Sequence, residues 1–167
     1  NRREVHCHVM GGGRLNASGQ QGRAPGSPVE WEAYFGRRWR LLRAAWAKAR
    51  GSERDALDTS AVHRMVCDPQ GKVLAVGRLQ HDENGIGQIR YMAVETAYQR
   101  HGLGTLLLGA LEHEARTQGL STLRLHAREN AVPFYTRHGY RLIESSYLLF
   151  DTIQHYKMEK RWQISSA

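Results

Sequence analysis

The clearest structural signal in the chain lies in residues 86–115, which read IGQIRYMAVETAYQRHGLGTLLLGALEHEA. Residues 86–94 have the composition and length of a β-strand. From residue 103 onward, apolar side chains recur at the spacing of one helix face: Leu103, Leu106, Leu107, Ala110, Leu111 and Ala115. A loop with two glycines, residues 99–105, joins the two segments. We therefore predict a strand that runs through a glycine loop into a helix, which Gly119 is expected to end.

The flanking residues extend this unit into a mixed sheet. Strands are predicted at residues 61–68 and 72–81 before it and at 122–127 after it. A short helix is expected at 131–137, and residues 140–160 should form two strands around Glu144-Ser145-Ser146. The strands joined through the helix should be parallel, with a right-handed crossover. The fold class predicted is α+β (mixed α/β), with a central mixed β-sheet of about six to seven strands flanked by helices.

The N-terminal part divides into an extension and a helix. Residues 11–28 are rich in Gly, Ser, Gln and Pro, as loops are, and the alternation in residues 5–9 is a weak signal for a first strand. Ser27-Pro28-Val29-Glu30 has the pattern of a capping box, with Pro at the first helical position. A helix is therefore predicted from Pro28 to Gly51. The domain division is an extension at 1–27 and a single domain at 28–162.

Composition excludes several classes of protein. With 167 residues, 41% apolar and 24% charged, the chain is suited to one globular domain and not to a disordered, collagen-like or coiled-coil protein. It has neither the apolar run of roughly 20 residues that a membrane helix needs nor the apolar core of a signal peptide. Two cysteines, Cys7 and Cys67, form no disulfide framework and no metal-ligand pattern. We expect a cytoplasmic protein with no metal ion and no membrane contact.

The net charge of +8 is concentrated in the first 50 residues, which hold ten Lys and Arg against three Asp and Glu. Such a segment could attract nucleic acid or a polyanionic small molecule. A solvated helix face that carries Arg37, Arg38, Arg40, Arg43, Lys48 and Arg50 explains the charge equally well. No zinc-ligand spacing or aromatic stacking module accompanies it, so nucleic acid is not the expected partner.

The glycine loop has the features of a phosphate site. Gly102 and Gly104 let the backbone approach a ligand, and the helix start offers unpaired N–H groups at the positive end of the helix dipole. A Walker lysine is absent, and Leu107 stands where a dinucleotide fingerprint needs its third glycine. A phosphate site of another kind is therefore one interpretation, and a plain structural turn is the alternative.

Two motifs together resemble a known family. Gln99-x-x-Gly102-x-Gly104, placed between a strand and a helix, resembles the acetyl-CoA signature of the GNAT superfamily of N-acetyltransferases. Further along, residues 134–140 (FYTRHGY) are similar to that family's second motif, in which a tyrosine near the cofactor sulfur precedes a helix-ending glycine. Residues 51–55, 75–79, 89–94 and 153–158 resemble a bacterial subgroup in which such a domain is sometimes fused to a C-terminal thioesterase domain. The chain here ends at Ala167, so no thioesterase domain is expected on it.

The resemblance implies acetyl-CoA as co-substrate and assigns its contacts. The strand residues Met92, Ala93 and Val94 would bind the pantetheine arm, although core packing also explains Met92 and Val94. The pyrophosphate would be held by the loop residues Arg100, His101, Gly102, Leu103, Gly104 and Thr105. Arg128 stands where many family members have an asparagine that contacts the cofactor, and Asn130 follows it. Arg128 would then reach a CoA phosphate, reach a substrate carboxylate or lie on the surface.

The family chemistry, direct attack of a neutral amine on a thioester, implies further roles. Tyr135 is the candidate acid or hydrogen-bond donor to the leaving thiolate, with aromatic packing as the alternative role. A strand amide near Ala93 would stabilise the oxyanion.

A proton acceptor is also needed, because a primary amine is mostly protonated at neutral pH. His155 is the candidate base by its ordinary pKa, Glu53 and Glu129 are alternatives, and Glu95 is expected to be solvated. Arg54, Arg78 and Arg90 either select an acidic acceptor or pair with Asp55 and Asp58.

The function predicted is transfer of an acetyl group from acetyl-CoA to an unidentified small-molecule or peptide amine, with a homodimer as one assembly considered. The alternative from another class is a non-catalytic acyl-CoA-binding domain for sensing or interaction. Nucleic-acid binding by the basic helix face is a third hypothesis.

Overall fold

The computed structural model describes residues 20–82, 85–99, 101–150 and 152–164. In this part of the chain one sheet has the strand order β1-β2-β3-β4-β6-β5. Its strands are β1 (Val62–Cys67), β2 (Val73–His81), β3 (Ile86–Val94), β4 (Thr122–Arg128), β5 (Arg141–Leu149) and β6 (Ile153–Arg161). The α-helices are α1 (Pro28–Leu42), α2 (Leu103–Thr117) and α3 (Val132–Arg137). β3 and β4 are parallel and the other neighbours are antiparallel. The predicted mixed α+β sheet flanked by helices is confirmed; the first strand suggested at residues 5–9 lies outside the described residues.

Helix α2 packs on one face of the sheet through the predicted apolar stripe. All six stripe residues are buried, and all but Ala110 belong to one core cluster with sheet residues such as Leu79, Ile89 and Leu123. The approach to β2 is close, since a Cβ added to Gly77 would lie 2.9 Å from Leu111 Cδ1. Fully burying a leucine side chain stabilises a fold by about 1.5–3 kcal/mol. This helix therefore anchors the glycine loop at its own N-terminus.

Helix α1 covers the opposite face of the sheet. Tyr34 and Phe35 form a second core with residues of β1 and β2. The hydroxyl of Ser27 accepts a hydrogen bond from the Glu30 amide at 3.2 Å, as a capping box requires. The Glu30 carboxylate, however, accepts from the Gly26 amide instead of the Ser27 amide. Only half of the predicted box is formed, and the helix start is nevertheless as predicted.

The predicted end of this helix is wrong. α1 ends at Leu42, and the chain turns away from the helix axis at Arg43 instead of continuing to Gly51. Beyond the turn, Trp46 packs on Phe150, with the ring centroids 5.4 Å apart. That partner lies more than a hundred residues away in sequence, so helical spacing could not reveal where α1 would stop.

The predicted turn between the last two strands is also wrong. Glu144-Ser145-Ser146 lies inside β5, and the chain reverses between Leu149 and Ile153. The pairing of β5 with β6 shifts register between Leu142 and Glu144 and between Ser145 and Leu148. The polar triplet therefore marks an irregularity in an exposed edge strand, where bulges are common.

Residues 20–27, assigned to the extension, lie against the domain. The backbones of Arg23 and Met65 exchange hydrogen bonds of 2.9 and 2.7 Å. A Cβ added to Gly22 would lie 2.6 Å from the Ala110 Cβ, so this segment also contacts α2. The boundary between an extension and a domain at residue 28 stays a prediction. None of the helices in the described ranges is long and apolar enough to cross a membrane.

A gap opens in the middle of the sheet. The parallel pairing of β3 with β4 runs only from Ile86 to Ile89, although β3 continues to Val94. Tyr91 adopts a φ of +53°, and the register between β2 and β3 shifts at this point. A bulge of this kind bends and twists its strand. β3 therefore leaves β4 beyond Ile89, and the space between the two strands becomes the candidate site.

Candidate active site

A cavity of about 250 Å³ occupies the gap between β3 and β4. It lies among the ends of α1, β3 and β4 and the β5–β6 pair. Four residues that the sequence analysis assigned to the site line this cavity, and they come from four separate elements: Met92, Arg128, Tyr135 and His155. Residues that the sequence analysis did not assign to the site also line it, including Arg43, Tyr91, His126 and Tyr147.

Strand alternation assigns the lining residues to two faces of the sheet. On β4, Leu125 and Ala127 belong to the core beneath α2, so His126 and Arg128 point to the α1 face. On β3, Met92 and Val94 pack against the α2-side core, whereas the Tyr91 ring lies under the Arg38 guanidinium of α1 at 4.7 Å. The cavity joins both faces through the gap, so two molecules that enter from opposite sides can meet in it.

The backbone edge of β3 is open to the gap. The Glu95 amide donates to the Leu74 carbonyl oxygen at 2.7 Å, so it points toward β2. By alternation the Ala93 amide also faces β2, and the amides of Met92 and Val94 face the gap. The amides near Ala93 that are open to a ligand are therefore those of its two neighbours, and an oxyanion role for a strand amide here stays a prediction. Such an edge can bind an extended ligand as an added strand would bind.

The start of α2 is suited to an anion. Gly102 precedes the helix with a φ of +78°, and no side chain caps the first turn. Nothing lies within 4 Å of a Cβ added to Gly102, so a ligand can approach the backbone there. The first-turn amides and the helix dipole both favour negative charge at this position. The glycine turn at the helix start is thus observed, and phosphate binding there stays a prediction.

The other loop residues contribute in different ways. The Leu103 side chain is buried in the core, so only its backbone is available to a ligand. A Cβ on Gly104 would lie 3.1 Å from Phe134, and this close contact holds the loop against α3. The Thr105 hydroxyl lies within hydrogen-bonding distance of His138 Nε2, at 2.9 Å, and the other ring nitrogen donates to the Phe134 carbonyl oxygen. His101 is exposed, and Arg100 lies outside the described residues.

Tyr135 projects from α3 into the cavity. It is 7% exposed, and its ring packs against Phe134 and Tyr140. Within the described residues its hydroxyl has no hydrogen-bond partner. Burial raises the pKa of the phenol above its usual range, which keeps it protonated at neutral pH. Tyr135 is thus both a packed aromatic residue and an available hydrogen-bond donor.

His155 lies on β6 opposite Arg128 of β4. Its Nδ1 is 3.0 Å from the Ile153 carbonyl oxygen, which can only accept, so Nδ1 carries the proton and Nε2 keeps a lone pair in the neutral ring. Burial lowers the pKa of the imidazole, and the Arg128 charge adds to this effect. The ring is stacked on Tyr147 with the centroids 4.5 Å apart. These contacts hold a neutral imidazole in one orientation, as a base requires.

The alternative carboxylate bases are placed elsewhere. Neither Glu53 nor Glu129 lines the cavity. Glu53 is buried and accepts a hydrogen bond from the Gly51 amide at 2.7 Å. Glu95 was expected to be solvated, and this expectation is wrong: it is 8% exposed, because α1 folds over β3 and its Arg37 pairs with the carboxylate.

The arginines predicted to select an acceptor or to form ion pairs separate into two groups. Arg78 is fully buried and pairs with both Asp55 and Asp58. Arg54 lies 3.5 Å from Glu53 and also covers the Phe35 ring. Arg90 alone of the three lines the cavity.

The other cavity residues could be found from sequence only in part. His126 shares its strand face with Arg128, and the alternation in residues 122–128 carries that signal. Tyr147 follows from the course of β5, which the misplaced turn concealed. Arg43 comes to the cavity because α1 ends where it does. Among the described residues, no group of three His, Cys, Asp or Glu side chains could hold a metal ion.

Comparison with known proteins shows which family shares this sequence and fold. The family model for the acetyltransferase (GNAT) domain matches residues 43–162. A solved acyl-CoA N-acyltransferase from Pseudomonas aeruginosa is 24% identical, with 84% of this chain and 97% of that chain covered and a TM-score of 0.71. The ribosomal-protein-S18-alanine N-acetyltransferase from Escherichia coli is 21% identical, with 89% and 96% covered and a TM-score of 0.64. A protein from Lactobacillus plantarum has a TM-score of 0.74 at 22% identity, with 85% and 97% covered. Since these structures share the fold and the family model spans most of the sequence, the chain belongs to the GNAT acetyltransferase domain family.

Proposed function

We propose that this protein is an N-acyltransferase that transfers an acetyl group from acetyl-CoA to an amine. The observation that carries the proposal is the cavity in the gap between β3 and β4, because Tyr135 from the α2 face and His155 from the α1 face both line it. Membership of the GNAT family supports acyl transfer as the reaction class. The resemblance to the thioesterase-fused subgroup and the homodimer stay predictions.

The residues present fit acetyl-CoA. The amides of Leu103, Gly104 and Thr105 would hold the pyrophosphate. Arg100 and His101 precede them in the sequence and are further candidate contacts. The open edge of β3, through Met92 and Val94, would bind the pantetheine arm and direct an amide at the thioester oxygen. When bound, acetyl-CoA supplies an activated carbonyl carbon and a thiolate leaving group.

Two side chains would manage the protons. The amine must lose a proton as its nitrogen bonds to the carbonyl carbon and the carbon–sulfur bond breaks. His155 Nε2 accepts that proton, because the Ile153 carbonyl keeps the other ring nitrogen protonated. Tyr135 donates to the departing sulfur from its otherwise unpaired hydroxyl. Each role follows from a hydrogen-bonding capacity that the fold leaves available.

Isothermal titration with acetyl-CoA tests the binding, and thiol release with a panel of amines tests the chemistry. Tyr135→Phe should lose turnover and keep its affinity for acetyl-CoA. Tyr140→Phe is the matched control: its hydroxyl donates to Glu112 at 3.0 Å outside the cavity, so the variant should lose thermal stability and keep turnover. No binding at millimolar acetyl-CoA would overturn the proposal. Binding without thiol release for any amine would favour the non-catalytic acyl-CoA-binding alternative.

A further inference from the structure

The α1 face of the cavity is cationic. Arg43, Arg90 and Arg128 line it, and no aspartate or glutamate of the described residues does. Within the described part of the chain, none of the three guanidinium groups makes an ion pair or a side-chain hydrogen bond. The Arg43 Nε is buried and has no hydrogen-bond partner there. These groups therefore keep donors that a ligand can use.

Other arginines on the same face are neutralised within the fold. Arg78 makes a bidentate contact with Asp55 at 2.7 and 3.0 Å. Arg124, on the same strand and face as Arg128, lies 2.8 Å from the Glu159 carboxylate. Arg43, Arg90 and Arg128 therefore lack carboxylate partners on a face where these other arginines have them.

The three unpaired charges act on one small region. Burial raises the pKa of the Tyr147 hydroxyl, and the charges of Arg90, Arg128 and Arg43 all oppose that rise. Burial lowers the pKa of Arg128, and the charge of Arg43 lowers it further. Like charges that converge on a partly buried space repel one another. An anion placed among them would relieve this repulsion.

Two of the three guanidinium groups are held in place before any ligand arrives. The guanidinium carbons of Arg90 and Arg43 lie 5.0 and 5.9 Å from the centroid of the Tyr91 ring. The Tyr91 hydroxyl donates to Asp55 at 3.2 Å, which ties the ring to the buried ion-pair network. Binding at such a cluster costs little further ordering of side chains.

The position of the three arginines indicates which of the two substrates carries the anionic group that they bind. The helix start suited to phosphates lies on the α2 face, whereas these arginines lie on the α1 face with His155. Arg128 and His155 are directly opposite on neighbouring strands, and such side chains have their Cβ atoms about 5 Å apart. A carboxylate on Arg128 would therefore leave a nearby amine of the same molecule beside the imidazole.

We infer that the acceptor is an amine that bears a carboxylate close to its nitrogen, as an amino acid does, and that Arg43, Arg90 and Arg128 bind this carboxylate. The inference rests on the proposed function and names the substrate class for it. A guanidinium matches a carboxylate through two parallel hydrogen bonds, which gives both affinity and orientation.

Thiol release from acetyl-CoA, measured with L-amino acids and with their carboxamides, tests this inference. Each pair keeps the side chain and the amine and replaces the carboxylate by a neutral amide. A charge-assisted hydrogen bond corresponds to about tenfold or more in affinity, so kcat/KM for the acids should exceed that for the amides by at least this factor. Arg90→Gln and Arg128→Gln should each erase the preference. Arg124→Gln is the matched control and should retain it.

The outcomes separate this inference from the function on which it rests. Equal kcat/KM for acids and amides, with acetyl-CoA bound and thiol released, would overturn the carboxylate acceptor and leave acetyl transfer standing. An arginine-dependent preference for succinyl-CoA over acetyl-CoA, with no preference among acceptors, would assign the anion to the acyl group and overturn the inference. Failure to bind acetyl-CoA in titration would instead overturn the proposed function.

Discussion

Replacement of Arg78 by methionine should destabilise the protein strongly, because this residue connects a buried ion-pair network beneath the cavity. Arg78 is 0% exposed and lies 2.7 Å from an Asp55 oxygen and 2.8 Å from an Asp58 oxygen. Arg38, also fully buried, contacts the same Asp58 oxygen at 2.9 Å. Arg78→Met keeps much of the side-chain volume and leaves Asp55 without its cation.

The size of the effect follows from what remains after the substitution. Breaking a buried ion pair by removing one partner costs about 3–5 kcal/mol. Asp58 keeps its contact with Arg38, and the Asp55 side chain is 31% exposed, so water compensates part of the loss. We therefore expect a loss near the lower end, about 3 kcal/mol. Arg64→Met is the control, since the pair of Arg64 with Glu114 is partly exposed and should contribute about 1 kcal/mol or less.

The pH dependence provides a second measurement on the same network. The hydrogen bond from Arg78 lowers the pKa of Asp55 from 3.8 to about 2. Because the pKa in the folded state is the lower one, the stabilisation is fully present above pH 3.8 and is lost as the pH falls through 2. At about 1.4 kcal/mol per pKa unit, reduced for partial exposure, Asp55→Asn should cost about 1–2 kcal/mol at pH 6. That cost should fall steadily from pH 4 to pH 2.

Urea unfolding followed by tryptophan fluorescence gives these free energies directly. The reasoning would be refuted if Arg78→Met cost no more than Arg64→Met at neutral pH. It would also be refuted if the cost of Asp55→Asn were the same at pH 2.5 as at pH 6.

Four further substitutions test single features. Leu107→Ala, at a fully buried position of α2, should cost about 2–5 kcal/mol in calorimetry, and a loss below 1 kcal/mol would contradict its placement in the core. Gly109→Ala, in the exposed part of α2 with no atom within 4 Å of its Cβ, should gain about 0.5–1 kcal/mol in urea unfolding. Gly102→Val, at a φ of +78°, should lose about 1–2 kcal/mol of stability and weaken acetyl-CoA binding in titration. Unchanged affinity for acetyl-CoA would show that this turn is not part of the binding site. His155→Gln should lower kcat about 100-fold or more and abolish the acid limb of the pH profile of kcat/KM. In the parent protein this limb should lie below pH 6.5, because burial lowers the pKa of His155. An acid limb that persists in the variant would exclude His155 as the base.

The sequence predicted the central unit of the fold closely. The strand at Ile86–Val94 and the helix start at Leu103 agree with the observed elements to the residue. Their signals are local, because the apolar period and the glycines act within a few positions of where they stand. The glycine loop and its placement at a helix start followed from the same signals.

The remainder of the candidate site depends on contacts that are distant in sequence. α1 stops at Leu42 as the chain turns to meet the β5–β6 pair, and this brings Arg43 to the cavity. The gap itself results from the positive φ of Tyr91, a non-glycine residue in a strand, for which no residue pattern exists. Glu112, a charged residue on the buried side of α2, is 7% exposed because Tyr140 and Lys160 reach it from other elements.

The arginines show the division between the two sources of information most clearly. The sequence by itself determines how many there are, that they are concentrated near the N-terminus, and that a net charge of +8 results. Only the tertiary structure decides that Arg38 and Arg78 are buried with carboxylates, whereas Arg43, Arg90 and Arg128 face a cavity without them. The physical reason is that hydrophobic periodicity acts along the chain, whereas the free energy of a charge depends on its distance from other charges and from water across the whole fold.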